Sequence, residues 1–522
     1  MFKKSAIFLF IIVLVLGIFF RFADFDKKVY SADEVRSILR LSGMRSSAFI
    51  ETKFTGDILS VEDLQHYQKP GTDRTLGDAL DAIAGNPEHP PLYPLLTRFW
   101  MQIFNTPSAA RVFSIVLSLL ALPCIYWWCL ELFESPAVGW VAVALVAISP
   151  VQMMAAQNTT QYSLWTVAIA LSSALLLRAL RQPTLKLWIL YAVTIAMGFY
   201  THLFFAFVAL AQGIYVLLVQ RFRYTPILKA YLLSAGSGFV LFFPWLFHIF
   251  NNLDTVRNNT KYYRQFDNNI GKIVTKLIDN TGNTFINFYT PTRLDKYLDY
   301  AIVILVIFAF YLLCRYTPLK IWSFLILLAV IPALAQIVPD LISTSIRSLQ
   351  ARYYLPYFLA AELAIAGGVI HLMSGHKQLQ RNLGKILLIF LLVGGILSGI
   401  ELLGAQDWGL DDQRGTASSE NLKIAPEINR AERPLVISEA THSFLLALSY
   451  LVNPKVRFQL LKNEDEAQWQ QKVNLEQESR EFSDLFLYYP DKQFLEFIAR
   501  DRNFKAEPVV NKRLYKLVKT SP

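Results

Sequence analysis

The stretch VFSIVLSLLALPCIYWWCL, residues 112–130, runs for nineteen residues without a charged side chain. At 1.5 Å per residue, a helix of this length crosses most of the ~30 Å apolar core of a bilayer. Similar runs recur on both sides of it. They are Ser5–Phe20, Leu187–Tyr200, Leu203–Gln220, Ala230–Phe247, Tyr300–Cys314, Ile321–Val338, Tyr353–Ile370 and Ile386–Ile400. An uncharged stretch between Glu134 and Arg178 is long enough for two more helices, divided by Ser149-Pro150 and the polar run Gln157–Gln161. The reading predicts a mainly α-helical, polytopic membrane protein with eleven spans, give or take one. Ser5–Phe20 follows two lysines, as a signal peptide would, but no small-x-small cleavage site precedes Arg21, so an uncleaved helix is expected.

Composition agrees: 54% of the 522 residues are hydrophobic and 14% aromatic. The net charge of +10 would suit a nucleic-acid binder, but much of the basic excess sits in short loops between apolar runs. The positive-inside rule accounts for that placement. With the N-terminus inside, the cytoplasmic loops are Glu131–Ser135, Arg178–Lys186, Arg221–Lys229, Arg315–Lys320 and His371–Lys385. Four are basic and the first is acidic. Cys124, Cys129 and Cys314 fall in or beside apolar runs, so neither a disulfide framework nor a zinc site is expected.

The segments left outside are Arg21–Arg111, Gln152–Gln161, Thr201-His202, His248–Asp299, Pro339–Arg352 and everything after Glu401. Residues 1–401 are therefore read as a membrane domain with large outer loops at 21–111 and 250–299, the second of them partly amphipathic and suited to the membrane surface. Residues 402–522 read as an extracytoplasmic soluble α/β accessory domain. Its expected strands are Leu435–Ser438, Lys455–Leu461, Asp484–Tyr489 and Leu514–Val518, and its expected helices Thr441–Val452 and Lys492–Arg500.

Chemistry-bearing residues concentrate on the predicted outer side. Ser31-Ala32-Asp33-Glu34 places two adjacent carboxylates in the first loop, where they can also open a helix. Neighbours on a helix point about 100° apart, so the two acids cannot do the same job. Glu88-His89-Pro90-Pro91-Leu92-Tyr93 holds His89 in a stiff extended segment before a short helix, Leu92–Phe104. Gln157-Asn158-Thr159-Thr160-Gln161-Tyr162 is dense in uncharged donors and acceptors, suited to sugar hydroxyls or simply to a hydrated turn. His202 occupies another outer turn. Arg352-Tyr353-Tyr354 opens a span, where an arginine can snorkel or fork onto a lipid phosphate. Glu362 lies inside that span, where a carboxylate needs a partner.

This order of motifs, with Ala109-Ala110-Arg111-Val112-Phe113-Ser114 and Ala351-Arg352-Tyr353, resembles the GT-C superfamily of membrane glycosyltransferases. The likeness covers roughly residues 1–400. It is strongest to the bacterial branch related to protein O-mannosyltransferases and lipid A aminoarabinose transferases. The resemblance implies an inverting transfer of a sugar from a polyprenyl-phosphate donor to an extracytoplasmic protein, lipid or glycan at the bacterial plasma membrane. It implies Asp33 as the catalytic base with Glu34 its neighbour, and His89, Arg111 and Arg352 as donor-phosphate contacts. Gln157, Tyr162, His202 and Tyr353 are the expected substrate contacts. Thr160 stands where relatives often carry an arginine. A divalent cation on Asp33 and Glu34 is compatible with their hard oxygens, and no cofactor is otherwise implied. Two other readings share these features: a polysaccharide polymerase or ligase using lipid-diphosphate glycans, and a transporter for lipid-linked sugars. The second expects polar breaks at mid-membrane rather than at one face.

Overall fold

The computed structural model describes residues 4–71, 73–261, 269–288, 293–342, 345–407 and 415–520. The chain forms two units. One comprises residues 1–26, 86–93 and 111–405, and the other residues 27–85, 94–110 and 406–522. The sequence placed the boundary once, near residue 401. The contacts instead group most of the first outer loop with the C-terminal tail.

The first unit is helical. Among the described residues, seven helices are long and apolar enough to cross a membrane, Pro107–Phe133 and Leu355–Met373 lying within two of them. An eighth candidate is a pair, Pro136–Ala147 and Pro150–Gln157, bent by 58°. Its break falls at Ile148–Ser149, because Pro150 has no N–H to continue the first helix and suits the first turn of the second. Three shorter apolar helices, Phe8–Phe22, Leu185–Thr201 and Phe205–Val219, lie at three more of the apolar runs.

The break exposes backbone carbonyls that must be satisfied away from water. Arg21, fully buried at the end of the Lys4–Phe22 helix, supplies the donors. Its guanidinium donates to the carbonyls of Ala147 and of Val146 (3.1 Å), and to Ser118 Oγ at 2.8 Å. Gly17 makes this approach feasible, since any Cβ there would collide with the Ala147 carbonyl. Glu362 is fully buried on the Leu355–Met373 helix.

Loop contacts explain the exception in the charge pattern. Glu131 lies 3.4 Å from Arg178 and 3.5 Å from Arg181, and Glu134 lies 3.3 Å from Arg181 and 3.2 Å from Lys320. The acidic loop is thus neutralised by two basic loops assigned to its own side.

The second unit is built on one mixed sheet. Its strands are β1 (Ile58–Ser60), β2 (Pro434–Ser438), β3 (Arg457–Leu460), β4 (Asp484–Tyr488), β5 (Phe504–Val510) and β6 (Leu514–Lys519), in the order β1-β3-β2-β4-β6-β5. β2 pairs in parallel with β3 and β4, and the outer pairings are antiparallel. β2 is buried along its whole length, as expected for a strand covered on both faces. Alternate residues divide between two cores. Val436, Phe458 and Phe486 meet Val35, Ile38 and Leu39 of the first loop together with Leu445 and Leu448. Leu435, Ile437 and Leu487 meet Trp469, Leu475 and Phe494. The four predicted strands and both predicted helices of the tail are present, while β1, contributed from the first loop, and β5 are additions.

Candidate active site

Helix Ala32–Leu41 of the second unit begins with a capping box. Glu34 N–H donates to Ser31 Oγ at 3.2 Å, and Ser31 N–H donates to Glu34 Oε2 at 2.9 Å. Two backbone donors at the helix start are thereby satisfied. Glu34 is fully buried in this role. Asp33, one position earlier, keeps 26% of its side chain exposed and lies 3.6 Å from Arg36, whose Nη2 donates to Ser443 Oγ at 3.0 Å. The two acids therefore have separate surroundings, and one carboxylate is taken up by the backbone. Among the described residues no three His, Cys, Asp or Glu side chains gather into a metal-binding group.

In the helical unit, the His89 segment is anchored at several points. His89 N–H donates to the Asn86 carbonyl at 2.9 Å. Trp245 Nε1 donates to the Pro87 carbonyl at 3.1 Å, and Asn259 Nδ2 to Glu88 at 3.0 Å. Tyr93 Oη meets Ser114 Oγ at 2.7 Å, one turn past Arg111 on the next helix. The segment is thus held against one outer loop at Asn259 and against two predicted spans at Trp245 and, through Tyr93, Ser114. Arg111 itself is fully buried, with Nη1 on the Phe25 carbonyl at 2.7 Å. Gln157 Nε2 donates to the carbonyls of Phe20 (2.9 Å), Arg21 (3.3 Å) and Ala23 (3.2 Å), capping the first helix, while its Oε1 is buried without a partner.

Four of the predicted residues come together from three separate segments. His202 stacks on Trp165 with ring centroids 4.2 Å apart and planes within 10°. Tyr162 is 5.9 Å and Tyr353 6.1 Å from the same imidazole. The Arg352 guanidinium lies 5.5 Å from the Tyr353 ring centroid. Phe204 closes the group, 4.9 Å from Tyr353. His202 Nδ1 accepts the Phe204 N–H at 3.1 Å, so the neutral ring carries its proton on Nε2. Burial, with the charge of Arg352 adding to it, lowers the His202 pKa to about 3. His202 is therefore a neutral donor and aromatic surface, and the cation of this cluster is Arg352. The sequence reading missed Trp165 and Phe204. Trp165 was within reach, because it follows Tyr162 by three positions and shares its helix face. Thr160 is buried beside the cluster's helix, its N–H on the Asn158 carbonyl at 2.8 Å.

Residues 88–248 match the sequence model of the dolichyl-phosphate-mannose-protein mannosyltransferase family. The match takes in His89, Arg111, Gln157, Tyr162 and His202 but not Asp33, Glu34, Arg352 or Tyr353. The structure of ArnT from Cupriavidus metallidurans bound to undecaprenyl phosphate is similar to this chain, with a TM-score of 0.55 at 12% identity, over 99% of this chain and 98% of that one. The apo structure of the same protein gives 0.57 at 12% identity over 98% of both chains. No curated protein matches the chain by sequence. The helical bundle with its bent helix pair, the α/β unit and the full-length likeness together give this multi-pass membrane protein the fold seen in ArnT, and its residues 88–248 match the dolichyl-phosphate-mannose-protein mannosyltransferase family model.

Proposed function

We propose that the protein is an inverting glycosyltransferase that takes a sugar from a polyprenyl-phosphate donor and delivers it to a hydroxyl-bearing protein, lipid or glycan outside the bacterial plasma membrane. The observation that carries this reading is the convergence of Tyr162, His202, Arg352 and Tyr353 on one cluster in a GT-C fold. Aromatic faces suit a sugar ring or prenyl chain, and a guanidinium suits a phosphate.

The chemistry asks for little else. The acceptor hydroxyl gives its proton to the Asp33 carboxylate as its oxygen attacks the anomeric carbon. The anomeric C–O bond breaks and its electron pair leaves on the polyprenyl phosphate. That phosphate is a good leaving group once cations face it, and Arg352 and His89 fill this role. A positioned base contributes roughly 10²–10⁴-fold, and fixed charges opposite the leaving group a comparable amount. Arg111 and Gln157 hold the scaffold through backbone carbonyls, and Glu34 holds the helix that presents Asp33.

The test is a donor assay: purified protein, radiolabelled polyprenyl-phosphate sugars, and detection of released polyprenyl phosphate. Release from one sugar donor supports the reading, and its absence across hexose and pentose donors would end it. Sidedness is tested separately in spheroplasts. Cysteines at Asn258 and Lys462 should react with a membrane-impermeant thiol reagent, and cysteines at Gln182, Tyr224 and Gln378 should not.

A further inference from the structure

Near Arg352 the helical unit buries a group of polar side chains that the account above leaves unused. Gln336 and Asp340 stand one turn apart on the same face of the Leu319–Ile342 helix, 1% and 2% exposed. Asp340 Oδ2 accepts the Ser348 N–H at 2.6 Å, which ties the helix to the Arg347–Leu349 turn. Ser348 and Tyr354 are fully buried there, and the Asp340 charge acts on Tyr354. The Ile270–Phe285 helix packs on that turn and carries Asn280, also fully buried. It is tied to the next span by Thr281 Oγ1 on Tyr357 Oη at 2.9 Å.

The group is dense in unpaired polar atoms, which also occur elsewhere, as at both Glu362 oxygens. Both amide atoms of Asn280 and of Gln336, together with Asp340 Oδ1, Ser348 Oγ and Tyr354 Oη, have no hydrogen-bond partner. Native proteins leave few buried polar atoms unpaired, and a concentration of them marks a place where something else completes the bonds. The inventory defines that something. Two amides, two hydroxyls and one carboxylate oxygen offer mixed donors and acceptors. A phosphate would be repelled by Asp340, whereas a neutral polyhydroxyl group matches the mixture.

We infer that Gln336, Asp340, Ser348, Tyr354 and Asn280 form the pocket that binds the hydroxyls of the donor sugar. The inference rests on the proposed reaction, and it names the part of the site that reads the sugar. Tyr354 is two residues from Arg352, so a sugar in this pocket lies beside the phosphate contact, as the sugar–phosphate bond demands.

The experiment measures binding to the purified full chain in lipid nanodiscs. The probes are undecaprenyl phosphate and the same lipid carrying mannose, glucose, N-acetylglucosamine or 4-amino-4-deoxyarabinose. The wild type should bind at least one sugar-bearing lipid about tenfold more tightly than the bare lipid, because a site built to bond hydroxyls penalises their loss. Gln336→Leu and Ser348→Ala should each bring that ratio close to one without changing affinity for the bare lipid. Gln336→Leu should also leave the melting temperature unchanged or raised, since an unpaired buried amide is replaced by an apolar side chain of similar size. A merely structural role predicts a lowered melting temperature instead. The inference is overturned if no sugar-bearing lipid is preferred, if the variants weaken bare and sugar-bearing lipids equally, or if they leave the ratio unchanged. Failure of the wild type to bind even bare undecaprenyl phosphate would remove the proposed function itself. A wild type that binds it, with variants that keep the ratio, would remove the sugar pocket alone.

Discussion

The two units differ in how completely their buried amides are bonded. In the α/β unit such groups make at least one bond to the fold, although Gln459 Oε1, Glu439 Oε2 and His442 Nε2 lack a partner. Gln459 Nε2 donates to the carbonyls of Gly56 (3.2 Å) and Lys472 (3.0 Å), Asn421 Oδ1 accepts from Tyr488 Oη at 2.8 Å, and Glu439 Oε1 accepts the Asp491 N–H at 2.6 Å. In the helical unit, Arg21, Gln157 and Arg111 do the same for broken or terminal backbone. Asn280 and Gln336 do not: their amides are buried with nothing to bond. The difference teaches where to look for function. A polar group bonded to the backbone explains its own burial, while an amide unpaired at both ends leaves its bonds to be completed.

The largest expected effect breaks or confirms the division within the acidic pair. Asp33→Asn should fold and bind donor normally while turnover falls at least about 10²-fold. Wild-type activity should decline at low pH as the base protonates, and any residual activity of the variant should lack that limb. Normal turnover with an unchanged pH profile would return Asp33 to ordinary surface. Glu34→Gln should separate from it, with near-normal chemistry and a loss of about 1 kcal/mol from the weakened capping box, read by denaturant unfolding.

A second comparison sets Arg352 against Arg111. Arg352→Ala should weaken binding of the lipid donor roughly tenfold or more, the scale of a lost charged hydrogen bond, with little change in melting temperature. Arg111→Ala should lower the melting temperature, because its guanidinium holds the Phe25 carbonyl. Equal loss of donor affinity in both would put Arg111 back into the site.

The smallest effects concern the α/β unit, where two buried groups titrate in opposite senses. Burial, reinforced by the nearby Asp491 charge, raises the Glu439 pKa to about 7. Its contribution to stability is full below the ordinary glutamate value and is lost as pH rises through about 7. Burial, with the charges of Arg36 and Arg40, lowers the His442 pKa to about 4. Its contribution is full above the ordinary histidine value and is lost as pH falls through about 4. Hydrogen exchange of β2 in the full chain should therefore show Glu439→Gln removing the alkaline loss and His442→Phe removing the acid loss. A pH response identical to wild type in either variant would mean that the group does not carry its slope.

Much of this was legible beforehand. Apolar runs and basic loops located the helices, because a lipid environment leaves the backbone few alternatives. The continuous apolar run Leu435–Ile437 is an example of what marked the tail strands. The roles of Gln157 and Glu34 were harder to read. Gln157 was placed among the substrate contacts from its polar neighbours, yet its partners are carbonyls more than a hundred positions away. The spacing Ser31-x-x-Glu34 is a capping-box signature and was sufficient to foresee Glu34 as a cap.

By itself the sequence determined what is local or periodic: which segments are apolar enough for lipid, which loops are basic, where prolines stiffen His89 and break the helix at Pro150. Tertiary structure alone decided which distant polar groups meet. It joined β1 of the first loop to β3 of the tail, assembled Tyr162, His202 and Tyr353 around one imidazole, and left Gln336 unpaired beside a bonded Asp340. The physical reason is that burial and partnership belong to pairs of side chains. A residue's type shows which bonds it can make, and only the packing of helices and sheet shows which of them remain unmade.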